Sequence, residues 1–376
     1  MKRTWWVRSL ALLLVAACVC GAIQAFALPR YSARYDQYCE LCHVNPSGGG
    51  MRSEYAARQL VPKEFAMSPA TPAMLAEIDP RIGKHILIGT DFREFFLASD
   101  RNASHDVTTG QGFYLMQGDV YLSFEVDSSY TIYYDHGLSN SYELFGLAHR
   151  LPWDGYIKAG RFVPSYGWKF DDHTMYVRSE QNLFPPAFSD VGVEAGIAPW
   201  RGRLNLQVGL VNGNRGSTQD NDRNLAGVLN SDLRFHVGPI VADAGVEGYT
   251  QPGPTQDLYS GGVHGYLYIW NVTWLGEADL KQTDASGGPV VTGFVTSHEL
   301  TWLVRQGLEI KGTYDFFDPD RDLKSGARTR WGGGVTAMPR SFLALEGLYR
   351  RTTYETGPAL PGTDFNEGVF QIHFFY

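Results

Sequence analysis

The sequence predicts an all-β protein, a transmembrane antiparallel β-barrel of about 16 strands preceded by a small N-terminal module. The first observation is alternation of apolar and polar residues from residue 85 to the C-terminus. The second is a composition of 14% aromatic residues and 42 glycines with only 19% charged residues. The third is the ending Phe374-Phe375-Tyr376. Such a terminal aromatic is typical of bacterial outer-membrane barrels.

Residues 1–27 have the pattern of an export signal. An apolar stretch runs to the small-x-small sequence Ala25-Phe26-Ala27, and it is preceded by the basic residues Lys2, Arg3 and Arg8. A lipoprotein signal ending at Cys18 is the alternative, but the chain stays apolar beyond Cys18. We therefore expect the mature chain to start at Leu28.

Hydropathy excludes a helical membrane protein, and charge disfavours a nucleic-acid-binding protein. No uninterrupted apolar run of about 18 residues follows residue 30, which excludes helical membrane spans. The chain has 32 Lys and Arg residues against 40 Asp and Glu residues, and three of the basic residues leave with the signal. This acidic balance disfavours nucleic acid as a partner.

The mature chain divides into two parts. Residues 28–84 are polar and rich in Pro and Gly, with one helical candidate near 53–60. Residues 85–376 show period two, and an even strand number suits an outer-membrane barrel. The predicted strands begin near 86, 113, 129, 142, 155, 190, 203, 224, 239, 258, 271, 291, 307, 327, 341 and 366.

Alternation alone does not separate a barrel from a soluble sandwich. The segment 272–281 sets Val, Trp, Gly, Ala and Leu against Thr, Leu, Glu, Asp and Lys. Sixteen membrane-crossing strands of about 10 residues need roughly 160 residues, which fits within residues 85–376. Strand number and the aromatic ending favour the barrel.

The N-terminal module contains Cys39-Glu40-Leu41-Cys42-His43. Cys-x-x-Cys-His is the attachment motif of c-type haem, in which both thiols form thioethers and the imidazole binds iron. A thioredoxin-like pair or a zinc half-site needs a βαβ context or further ligands, and chance is the remaining alternative. Because the mature chain has no other cysteine, we predict one haem c bound by Cys39, Cys42 and His43.

The residues after the motif bear on the haem site. Gly48-Gly49-Gly50 would let the backbone approach a flat porphyrin, although a plain turn explains them equally well. The second axial ligand stays open among Met67, Met74 and Met51, and each of these methionines is also explained by packing.

The predicted lumen is acidic. Its polar faces carry Lys281, Lys311 and Arg350 and a larger set of carboxylates: Asp119, Glu125, Glu194, Asp243, Glu247, Glu277, Asp279, Glu309, Asp315 and Glu346. Pairing of these carboxylates with Lys and Arg across strands is favoured over a dedicated metal path. The connection 161–190 resembles porin loops that fold inward, with a surface loop as the alternative.

The signal, the motif at Cys39, Cys42 and His43, the preceding Pro29-Arg30-Tyr31-Ser32 and the terminal barrel resemble the fused monohaem cytochrome-porins of bacterial outer membranes. Iron-oxidising members continue toward Pro-x-Leu-Asn-x-Phe-Gly, whereas this chain reads Asn-Pro-Ser-Gly-Gly-Gly-Met. The resemblance implies an outer-membrane electron carrier of a Gram-negative bacterium. It implies contacts with lipid, a periplasmic c-type cytochrome or other redox carrier, and an extracellular donor such as Fe(II) or a mineral.

Three functions follow from these features. The first is electron transfer across the outer membrane, which is oxidoreductase chemistry without a classical catalytic site. The second is a solute porin whose N-terminal module is a plug or docking arm. A haem enzyme ranks last because no distal catalytic constellation can be identified from one sequence.

Overall fold

The computed structural model describes residues 29–36, 39–101, 110–137, 142–180, 189–214, 220, 222–355 and 363–376. The predicted signal segment lies outside these residues. Within them, no helix combines the length and the apolar character that a membrane crossing requires.

The described strands form one closed antiparallel barrel of sixteen strands, β2 to β17, in which β17 pairs with β2. A two-residue strand, β1 (Arg81–Ile82), pairs with β2 outside the ring of sixteen. The barrel strands are β2 (Ile86–Ser99), β3 (Gln111–Glu125), β4 (Tyr130–His136), β5 (Tyr142–Leu151), β6 (Gly155–Phe162), β7 (Asp190–Ile197), β8 (Leu204–Val211), β9 (Ala226–Val237), β10 (Ile240–Gln251), β11 (Gln256–Ile269), β12 (Val272–Ala285), β13 (Val290–Arg305), β14 (Leu308–Asp318), β15 (Arg328–Arg340), β16 (Leu343–Tyr354) and β17 (Phe365–Phe375). The predicted fold class is confirmed, and each predicted strand start lies within two residues of the observed one.

The helical elements are short and lie between or before the strands. They are α1 (Pro29–Tyr35), α2 (Cys39–Cys42), a π-helix (Ala56–Phe65), α3 (Pro72–Glu77), α4 (Tyr176–Ser179) and α5 (Pro199–Gly202). The helix predicted near 53–60 is therefore present but extends further toward the C-terminus. Thr71 caps α3 by accepting a hydrogen bond from the Met74 amide at 3.4 Å.

Side chains alternate between the lumen and the outside, as period two requires. On β3, Tyr121 and Ser123 are buried while Val120, Leu122 and Phe124 are exposed. The same pattern leaves apolar side chains exposed around the barrel, among them Ile157, Val193, Leu210, Leu267, Leu300 and Ile310. An apolar outer face around a polar interior is what a barrel in lipid requires.

The two ends of the barrel differ. At one end the turns are short, as at 152–154, 238–239 and 270–271, and at the other end the connections are longer, as at 163–189 and 212–225. Trp153, Trp200 and Trp270 are exposed at the short-turn end. In bacterial outer-membrane barrels the short turns are periplasmic, and aromatic girdles mark the interfaces.

The N-terminal segment, the described part of residues 29–80, has buried portions that pack inside the barrel at the short-turn end, whereas α3 has no buried residue. Arg30 pairs with lumen residues Glu299 at 3.1 Å and Glu309 at 3.3 Å. At the turn between β13 and β14, the Gln306 side chain donates a hydrogen bond to the carbonyl oxygen of Lys63 at 2.8 Å. The lumen is therefore filled at this end by the chain's own N-terminus.

The connection after β6 folds inward, as one of the two predictions for 161–190 stated. The Tyr176 amide donates to Asp315 at 3.0 Å, and the Val177 amide donates to Ser297 at 3.2 Å. Residues 181–188 lie outside the described part of the chain. We call residues 163–180 the inward segment.

Candidate functional site

The motif residues are held together by local backbone hydrogen bonds. The His43 amide donates to the Cys39 carbonyl at 2.8 Å, which closes one helical turn. The Ser53 amide donates to the Cys42 carbonyl at 2.8 Å, and His43 and Arg52 form an antiparallel bridge. Two thiols and one imidazole are thereby fixed within one compact turn.

This turn borders a cavity inside the barrel. The cavity has a volume of about 350 Å³, and Cys39, Cys42 and His43 all line it. The remaining walls come from the N-terminal segment, the inward segment and the lumen faces of the strands. The three predicted haem-binding residues are therefore brought to one cavity.

Gly48, Gly49 and Gly50 line the same cavity in left-handed backbone conformations, with φ of 81°, 77° and 64°. A β-carbon on Gly48 would lie 3.1 Å from the Cys39 sulfur, and one on Gly50 would collide with the Tyr133 hydroxyl. Both the backbone conformation and the close approach require glycine here. The turn thus packs its backbone closely against the Cys39 sulfur without a side chain between them.

The His43 imidazole is 8% exposed and has one nitrogen engaged. Its Nδ1 lies 3.3 Å from the Gly50 carbonyl oxygen, whereas Nε2 is buried with no hydrogen-bond partner among the described residues. Burial, together with the charge of Arg52, lowers the pKa of His43 to about 4. The ring is therefore neutral near pH 7, with Nδ1 oriented by a carbonyl and Nε2 available, which is the usual arrangement of a metal-binding histidine.

The environment of the thiols differs from that of a reactive dithiol. Burial raises the pKa of Cys42 to about 12, and burial also raises the pKa of Cys39. Thioredoxin-like cysteines have a lowered pKa because they react as thiolates. The surroundings of Cys39 and Cys42 therefore disfavour the redox-pair interpretation.

The three methionines predicted as alternative iron ligands do not line the cavity. Met51 is 1% exposed and packs in a core cluster with Leu87 and Tyr121. The Met67 amide donates to the Met338 carbonyl at 2.7 Å, and the Met74 side chain is 46% exposed. The structure thus brings Cys39, Cys42 and His43 together but leaves these methionines elsewhere.

Besides His43, two methionines and two histidines of the described chain line the cavity and could serve as a second iron ligand: Met116, His173, Met338 and His373. His373 is engaged with Asp91, with Nε2 2.6 Å from the carboxylate, whereas His173 has a buried Nδ1 with no partner in the described part of the chain. Sequence reasoning did not single out these residues because they come from β3, the inward segment, β15 and β17. No local spacing links them to the motif.

Most of the predicted lumen carboxylates pair with cations. Lys158 lies 2.9 Å from Glu194, Arg330 lies 2.8 Å from Asp315, and Lys311 lies 2.5 Å from Glu346. The prediction of cross-strand charge pairing is confirmed for these acids. Glu247, Glu277 and Asp279 form a cluster of a different kind, described below.

Comparison with solved structures finds porins. The barrel is similar to the anion-selective porin of Comamonas acidovorans, with a TM-score of 0.56, 11% identity, and coverage of 77% of this chain and 99% of that chain. It is similar to OmpT of Vibrio cholerae, with a TM-score of 0.57, 11% identity and coverage of 79% and 100%. It is also similar to the outer-membrane channel DcaP of Acinetobacter baumannii, with a TM-score of 0.54, 10% identity and coverage of 77% and 97%.

Sequence comparisons add no family. No protein-family model matches the chain, and no curated protein matches it. The structural likeness establishes the fold of an outer-membrane porin, and the apolar outer face is consistent with that membrane.

Proposed function

We propose that this chain is an electron-transfer protein of the bacterial outer membrane that carries one covalent haem c inside a porin-like barrel. The observation that carries the proposal is the His43 nitrogen Nε2, which is buried without a hydrogen-bond partner beside Cys39 and Cys42 in the lumen cavity. A buried nitrogen without a partner is costly unless a ligand takes it. Haem c, when bound, supplies reversible one-electron chemistry.

In this proposal, the chain's own residues attach and orient the group. Cys39 and Cys42 would hold the group through two thioether sulfurs, and His43 would bind its iron through a ring nitrogen. The Gly50 carbonyl holds His43 Nδ1, which fixes the ring and leaves Nε2 for the iron. The glycine turn keeps side-chain atoms away from the space beside Cys39.

The position of the motif supports a route for electrons in this proposal. Asp36, shortly before Cys39, lies 3.1 Å from His236 near the short-turn end of β9. We infer that a periplasmic c-type cytochrome or other redox carrier exchanges electrons at this end. An external metal ion such as Fe(II), or a mineral, exchanges them through the longer-loop end. One haem does not span the membrane alone, so both partners are required.

The first test is haem content. Full-length protein purified from outer membranes is expected to show a denaturation-resistant haem stain and a spectrum that changes on reduction with dithionite. The Cys39→Ala/Cys42→Ala variant should lose the stain while retaining the heat-modifiable migration of a closed barrel. Met74→Leu, at an exposed position, is the matched control and should keep the stain. A colourless wild-type protein contradicts the proposal.

A second candidate is a solute-conducting porin in which residues 29–80 are a plug. The fold likeness to porins favours it, and one of those porins is described as anion-selective. Single-channel conductance separates the two functions. Conductance of the wild-type protein that persists unchanged in Cys39→Ala/Cys42→Ala supports the porin, whereas electron transfer predicts a redox activity that this variant loses.

A further inference from the structure

Three carboxylates meet on the lumen side of β10 and β12. Glu247, Glu277 and Asp279 each offer an oxygen, and these oxygens lie within 4.8 Å of one another. The three residues are 5%, 1% and 0% exposed. Three carboxylates this close repel one another strongly when ionised, because burial weakens screening by water.

At Glu247 and Glu277, arginine and lysine side chains do not relieve this repulsion as they do at several other lumen acids of the described chain. Glu309 lies near Arg30 and Arg34, and Glu194 lies near Lys158. For Glu247 and Glu277, no arginine or lysine lies within ion-pairing distance among the residues that the structure describes. In the described part of the chain, Glu247 and Glu277 therefore have no arginine or lysine as a counterion, and the charged-group partner of Glu247 is His264.

One oxygen of each carboxylate is oriented by a neighbouring group. The Trp168 amide donates to Glu277 Oε2 at 2.5 Å, and the Tyr166 hydroxyl donates to Asp279 Oδ1 at 2.8 Å. His264 Nδ1 contacts Glu247 Oε2. Supporting contacts of this kind orient the ligands of metal sites.

The other oxygens of the two glutamates are left without partners. Glu247 Oε1 and Glu277 Oε1 are both buried, and neither has a hydrogen-bond partner in the described structure. Both side chains are more than nine-tenths buried and belong to the group whose oxygens converge. Buried polar atoms without partners call for an explanation, and a bound ion is one that also accounts for the convergence of three carboxylates.

We propose that Glu247, Glu277 and Asp279 bind one divalent cation of the oxygen-preferring class, such as Ca²⁺ or Mn²⁺. Carboxylate oxygens are the preferred ligands of these ions, and a divalent charge offsets most of the negative charge of the cluster. Tyr166 and Trp168 belong to the inward segment, so the ion would fix this segment against β10 and β12. The proposal does not depend on the presence of haem.

The test uses Mn²⁺ with the purified full-length protein after removal of metals with a chelator. We expect one Mn²⁺ per chain by electron paramagnetic resonance, displaced by Ca²⁺, and a rise in the thermal unfolding midpoint. Glu277→Gln keeps the shape of the side chain but removes a ligand charge, and it should weaken Mn²⁺ binding at least tenfold. Asp284→Asn, at an exposed position of β12, is the control and should bind Mn²⁺ like the wild type.

Two results overturn the proposal. One is Mn²⁺ binding that is absent from the wild type or unchanged in Glu277→Gln. The other is a carboxylic-acid C=O band in the infrared spectrum of the wild type that persists with saturating Mn²⁺ and disappears in Glu277→Gln, which means that shared protons neutralise the cluster. If Glu277→Gln does not form a closed barrel, stoichiometry and Ca²⁺ competition in the wild type decide the question.

Discussion

Lys158 connects the N-terminal segment to the barrel wall. Its side chain is completely buried, pairs with Glu194 at 2.9 Å, and donates hydrogen bonds to Ser47 at 2.7 Å and Asn45 at 3.2 Å. Asn45 and Ser47 lie two and four residues after His43, the last residue of the Cys-x-x-Cys-His motif. The orientation of the motif therefore depends on a charge pair more than 100 residues away in sequence.

We expect Lys158→Met to destabilise the protein by about 3–5 kcal/mol, because it leaves Glu194 buried without its cation. Urea unfolding from detergent micelles measures the change. Lys158→Met/Glu194→Gln should recover part of the loss, since the uncompensated charge is then removed. Equal destabilisation in the single and double variants argues that the pair contributes only through packing.

The methionines named from sequence give a prediction at the same scale. Because Met67 and Met74 do not line the cavity, Met67→Leu and Met74→Leu should leave the absorption bands and redox potential of the bound haem unchanged. Optical redox titration of each variant measures this. A lowered potential together with loss of a methionine-to-iron charge-transfer band in either variant would identify that residue as the second axial ligand.

The motif could be predicted from sequence because its three residues are consecutive in one turn. The cavity lining could not be predicted, because its residues come from strands and from the inward segment.

Alternation alone predicts that Glu247, Glu277 and Asp279 lie on lumen faces. Their convergence depends on strand register, since Glu247 pairs with Gly262 and Gly262 pairs with Asp279, and alternation does not define register.

At the scale of elements, strand positions were predictable because one side of every strand faces an apolar environment and the other a polar lumen. Val193 and Glu194 are adjacent on β7, with Val193 50% exposed on the outside and Glu194 fully buried inside. The sequence did not decide whether residues 163–180 fold into the barrel or form a surface loop. Its course depends on hydrogen bonds to β12, β13 and β14, which have no local sequence signal.

Val193→Arg should cost about 2–4 kcal/mol, because it places a charge on the lipid-facing side near the middle of a strand. Val237→Arg, at the end of β9, is the matched control and should cost about 0–1 kcal/mol, because a charge there reaches the interface. Reversible unfolding from lipid vesicles measures both. Equal costs at the two positions would contradict a lipid-facing band centred on Val193.

At the scale of the whole molecule, the barrel and the N-terminal segment have complementary roles. The barrel crosses the membrane with a paired, polar interior, and residues 29–80 occupy its short-turn end and bring Cys39, Cys42 and His43 to the cavity. A porin fold alone would predict solute passage. The N-terminal segment in the lumen fits the plug of a porin, and the arrangement at His43 is the reason for proposing electron transfer.

The most direct test of this account is electron transfer across a sealed membrane. Vesicles containing the full-length protein enclose a reduced soluble c-type cytochrome and face a ferric chelate on the outside, and oxidation of the enclosed cytochrome is followed optically. We predict oxidation with the wild type and none with the Cys39→Ala/Cys42→Ala variant. Oxidation at the same rate with both proteins, or no oxidation by haem-loaded wild type, would contradict the account.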